Sequence, residues 1–60
     1  MATTIRDLRN ALIKSGMNPK SADALAKKHN AYLNRVYKDA TIKQKADIAR
    51  TLGMSEKRWA

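Results

Sequence analysis

Residues 18–38 read NPKSADALAKKHNAYLNRVYK, and this run decides the fold. Asn18 suits a helix cap and Pro19 is already shaped for the first helical position, with Ser21 as a rival cap. From there Ala22, Leu25, Ala26, His29, Leu33 and Val36 return every three or four residues, with Tyr32 flanking them. That spacing predicts one long helix ending near Lys38. Its opposite face carries Lys20, Asp23, Lys27, Asn30, Asn34 and Lys38, a wet and mostly cationic side.

Toward the N-terminus, Thr4 with Asp7 three residues on marks another helix start. The hydroxyl can accept a first-turn backbone N–H, and the carboxylate favours the positive helix end. Ile5, Leu8 and Leu12 share a stripe with Ala11 beside it, while Arg6, Asp7, Arg9 and Lys14 lie off it, and Gly16 ends the helix near Ser15. Toward the C-terminus, Asp39-Ala40 makes a break and Thr41 with Gln44 forms a capping box. Ile42, Ile48, Ala49 and Leu52, with Ala46 adjoining, predict the buried side of a third helix that Gly53 stops. Ser55 then caps a short segment over residues 56–60. No strand alternation or repeat interrupts this pattern. The expectation is an all-α fold, a single domain over residues 1–60: a small three-helix bundle with a short C-terminal helical stub.

Sixty residues bound what such a fold can do. A chain of this length buries only about 60% of the surface its unfolded form exposes, which leaves no room for a core and a substrate cavity together. The absence of cysteine removes disulfides and thiolate zinc sites. Thirteen Lys and Arg against five Asp and Glu give a net charge of +8, whose self-repulsion a polyanionic partner relieves. No run approaches the roughly 18 apolar residues of a membrane span, and Met1-Ala2-Thr3-Thr4 lacks the layout of a secretion signal, so a cytoplasmic location without membrane contact is expected.

The segment over residues 45–59, KADIARTLGMSEKRW, resembles the helix-turn-helix of small bacterial and phage DNA-binding proteins. Ala49 matches the family's small residue at the helix crossing, and Gly53, four residues later, matches its turn glycine. Ile48, Leu52, Met54 and Trp59 stand where the family buries its corner, and Ser55 opens the second helix. A side chain larger than alanine would separate helices meeting at about 90–120°, and such a turn needs positive φ. The resemblance implies a helix-turn-helix-like corner and transcription regulation. It puts Glu56, Lys57 and Arg58 in the base-reading region, with Arg58 suited to a guanine edge. It makes Lys43, Gln44 and Lys45 phosphate anchors and adds Ser55 at the helix start. Only five residues follow Ser55, where the family's recognition helix continues for two turns or more.

The remaining residues narrow the functions. His29 has no second ligand at metal spacing and reads as a partly buried core residue. Asp7, Asp23, Asp39, Asp47 and Glu56 are never paired at helical spacing, and Ser15, Ser21 and Ser55 sit at helix ends, so neither acid–base nor nucleophilic catalysis is expected. No glycine-rich loop cradles a phosphate, and no cofactor or metal is implied. Lys27, Lys28, Arg35 and Lys38 form a secondary basic stripe able to track phosphates, or simply a solvated face. Tyr37, flanked by Arg35 and Lys38, is the ring best placed to stack on a base, whereas Tyr32 and Trp59 suit the core.

The leading expectation is a small basic DNA-binding protein of regulatory or accessory type, not an enzyme. The rivals are a phage-type effector that docks on an acidic host protein, acting in the host cytoplasm, and an RNA-binding protein using the long helix. A homodimer would extend the few base pairs that one stub reads.

Overall fold

The structure is a computed structural model that describes the backbone of residues 3–59 and the side chains of residues 3–54. Three helices occupy almost all of it: α1 (Ile5–Lys14), α2 (Pro19–Val36) and α3 (Ile42–Trp59). No strand occurs among the described residues. The Cα radius of gyration is 10.3 Å, against about 10 Å for a compact chain of this length.

Each helix start is chemically local. Thr4 Oγ1 accepts from the Asp7 N–H at 3.0 Å, and Asp7 Oδ2 accepts from the Thr4 N–H at 3.4 Å. Asn18 Oδ1 accepts from the Lys20 N–H at 2.9 Å ahead of Pro19, so Asn18 is the cap and Ser21 is not. Thr41 and Gln44 exchange bonds of 3.2 and 2.9 Å. These contacts satisfy first-turn donors that have no partner inside their helix. The end of α1 is a Schellman turn: the Met17 N–H donates to Leu12 O at 3.1 Å and the Gly16 N–H to Ile13 O at 3.0 Å. Gly16 takes φ 101°, where a Cβ would clash with its own backbone. Met17 packs against the core, closing the turn with an apolar contact.

The bundle runs up, down and up. Contacts of Thr3 with Asn34 and of Arg9 with Asp23 set α1 antiparallel to α2. Contacts of Lys45 with Asn34 and of Gly53 with Leu25 do the same for α3. The buried apolar residues are Leu8, Leu12, Ala22, Ala26, Leu33, Ala46 and Ala49. Alanine dominates that set, so the helices approach closely along small side chains and few large groups fill the centre.

Three expectations from the sequence are corrected. Gly53 does not stop a helix, because α3 continues through it to Trp59 and its φ is not positive. Residues 56–59 therefore continue α3 instead of forming a separate stub, and α3 has no turn at Gly53 to make a helix-turn-helix-like corner. A Cβ on Gly53 would lie 2.8 and 2.9 Å from the methyl groups of Leu25, so this glycine serves the close approach of α2 and α3. Met54, expected in a buried corner, is 69% exposed. Val36, expected on the buried stripe of α2, is the last residue of that helix and is 51% exposed.

Candidate nucleic-acid interface

The cationic surface is built mainly by α2. At about 100° per residue, Lys20, Ala24, Lys27, Lys28, Ala31 and Arg35 fall in one sector of about 100°, opposite Ala22, Ala26 and Leu33. All six are exposed, and all three members of the opposite stripe are buried. The sector holds four cations, two alanines and no acid. The alanines keep its middle low, leaving no bulk between the ammonium and guanidinium groups. From Lys20 to Arg35 the axis runs about 22 Å at about 1.5 Å per residue.

Asp23 borders this sector on the α1 side. It accepts from Lys27 Nζ at 3.1 Å and lies 3.9 Å from Arg9 NH1, so Lys27 is partly neutralised. Lys38 is exposed in the turn after α2, next to Asp39. Of the basic stripe expected from the sequence, Lys27, Lys28 and Arg35 thus share one face, and Lys38 stands beyond its end.

The other outward faces are mixed. α1 exposes Arg6 and Lys14 with Asp7, and α3 exposes Lys43 and Arg50 with Asp47. Interspersed acids weaken a field that a polyanion would feel.

The phosphate anchors expected near the start of α3 are only partly on the surface. Lys43 is exposed. The Gln44 side chain is spent on the Thr41 cap. Lys45 is a correction: it is wholly buried and cannot meet a phosphate. Its stem is as fully removed from solvent as Leu8, Leu12 and Leu33, the other large buried side chains. Its ammonium donates to Asn34 Oδ1 at 2.9 Å. That oxygen also accepts from the Thr3 N–H at 3.0 Å and lies 3.2 Å from Thr3 Oγ1, while Asn34 Nδ2 donates to Thr3 O at 2.7 Å. A buried charge persists in a protein only where such partners replace water. Ser55, Glu56, Lys57 and Arg58, the expected base-reading group, lie in α3, but their side chains fall outside the described residues, as does that of Trp59.

Sequence reasoning missed the burial of Lys45, although a signal was present. Ile42, Lys45, Ala49 and Leu52 repeat at three, four and three residues, placing Lys45 in the middle of the apolar stripe.

His29 is half-buried and, with Lys28, Tyr32 and Leu52, lines a shallow open groove between α2 and α3. Among the described residues no three His, Asp or Glu are grouped to hold a metal ion. No described helix is long and apolar enough to cross a membrane.

No protein-family model matches the chain, and no curated protein or solved structure matches it either.

Proposed function

We propose that this chain is a small DNA-binding protein of accessory type that holds the sugar–phosphate backbone on the outward face of α2. The observation that carries the reading is the exposed, acid-free sector of Lys20, Lys27, Lys28 and Arg35. A strand of duplex spaces its phosphates by about 3.4 Å along the axis, so the sector is long enough to face about six of them. Each cation that replaces a condensed counterion adds to affinity and makes it fall with salt. Backbone contacts of this type set position and carry no sequence information.

The experiment compares duplex DNA binding of three proteins over a range of salt concentrations. In one, Lys20→Glu and Arg35→Glu reverse the α2 face; in another, Arg6→Glu and Lys14→Glu make the same change in net charge on α1. The α2 variant is expected to lose about ten times more affinity than the α1 variant and to show a shallower salt dependence. Equal losses would reduce the effect to net charge and remove the α2 interface. Affinity that does not fall with salt would remove nucleic acid as the partner. Tighter binding to structured RNA than to duplex DNA of equal charge would move the reading to RNA.

A further inference from the structure

The aromatic residues of α2 lie where the cationic sector meets the groove. Tyr32 follows Lys28 by four residues and precedes Arg35 by three, so both cations neighbour its ring on the helix surface. The Tyr32 and Tyr37 rings meet edge to face, 6.1 Å between centroids and 67° between planes. Both remain open to solvent, at 37% and 39% exposure. Tyr32 is therefore not the core residue that its spacing suggested. Its ring also lines the groove, together with Lys28, His29 and Leu52.

Rings open to solvent beside cations suit a ligand that offers a flat apolar face next to a negative charge. A nucleobase is flat, apolar on its faces and tied to a phosphate a few ångströms away. We infer that Tyr32 and Tyr37 form a stacking platform for unpaired nucleobases, with Lys28 and Arg35 holding the adjoining phosphates; this rests on the nucleic-acid reading above. Bases paired within a duplex cannot present a face to the rings, so the platform favours single-stranded or frayed DNA over intact duplex. A second copy of this chain is a poorer occupant, because it would bring the same Lys28 and Arg35 against themselves.

The test separates the bases from the backbone. Binding of the whole chain is measured to oligothymidylate and to an abasic strand of equal length and charge. The abasic strand reads phosphate contact alone, and the difference between the two strands reads stacking. The chain is expected to bind oligothymidylate about tenfold more tightly than the abasic strand. Tyr32→Leu, which keeps apolar bulk on α2, and Tyr37→Ala, which lies outside the helices, should each shrink that preference without weakening abasic binding. Tyr32→Phe should retain it. Helical circular dichroism confirms that each variant is folded.

Equal affinity for the two strands overturns the platform and leaves the backbone reading standing. Failure to bind either strand also overturns the platform, and failure to bind duplex DNA of equal charge as well overturns both readings. Self-association in the absence of nucleic acid that Tyr32→Leu abolishes would assign the face to a second copy and also overturn the inference.

Discussion

The ammonium of Lys45, on the buried face of α3, donates to Oδ1 of Asn34 on α2 over 2.9 Å, while the same asparagine holds the backbone of Thr3 ahead of α1. One side chain thus ties all three helices at one end of the bundle. Its position beside a core made largely of alanine gives this polar link unusual weight, because little apolar area is available to compensate for its loss.

Asn34→Ala should therefore destabilise the chain by about 2–3 kcal/mol, since it removes a charge-assisted bond and the Thr3 bonds together. Lys45→Met keeps most of the buried stem and removes the charge, and should change stability by less than about 1 kcal/mol. In the Lys45→Met background the cost of Asn34→Ala should fall. Thermal unfolding of the four proteins measures this cycle, and an equal cost of Asn34→Ala in both backgrounds would show that the bond has no energetic weight. DNA affinity should be unaffected by Lys45→Met beyond the loss of one net charge.

Gly53 gives a second cycle, with Leu25. Alanine in a helix interior is favoured over glycine by about 0.5–1 kcal/mol, but here its Cβ would meet the Leu25 methyl groups at 2.8 and 2.9 Å. Gly53→Ala should be neutral or destabilising in the wild type and stabilising once Leu25→Ala has opened the space. A coupling of about 1 kcal/mol in denaturant unfolding is expected. Destabilisation of the same size in both backgrounds would mean that the backbone at Gly53 is turned, as in a helix-turn-helix, and not helical.

At Gly16 the constraint is the backbone itself. Outside residues 15–17 no atom lies within 4 Å of a Cβ placed there, yet φ is 101°. Gly16→Ala should cost about 1 kcal/mol through left-handed strain. D-alanine at the same position, introduced by chemical synthesis, should instead stabilise the chain by about 0.4–1 kcal/mol by restricting the unfolded state. The difference in melting temperature between the two isomers checks it.

Gln44 separates capping from binding. Gln44→Ala should lower stability by about 0.5–1 kcal/mol through loss of the bond to the Thr41 N–H, and leave DNA affinity unchanged. A clear loss of affinity in a fully folded Gln44→Ala protein would restore it as a phosphate contact.

Much of the bundle was legible residue by residue. The Thr4–Asp7 and Thr41–Gln44 boxes, the Asn18-Pro19 start and the Gly16 stop all act within a few residues along the chain, so their spacing in the sequence is already their geometry. The basic stripe of Lys27, Lys28 and Arg35 was legible for the same reason, because a helix turns local spacing into a common face. The candidate site near the start of α3 was not, and the difference lies at Lys45. A lysine reads as a surface charge until its place on the apolar stripe is weighed against what stands across from it.

The sequence by itself determined where each helix begins, which side of it is apolar, and that the whole carries a large positive charge. All of these follow from interactions between neighbours on one helix or from a simple sum. Only the tertiary structure decided that Gly53 lies against Leu25 inside a continuous helix, that Lys45 points inward to Asn34, and that Tyr32 stays in solvent beside Lys28. Those outcomes depend on atoms from residues far apart in the chain, and helix spacing alone does not specify which of them will meet.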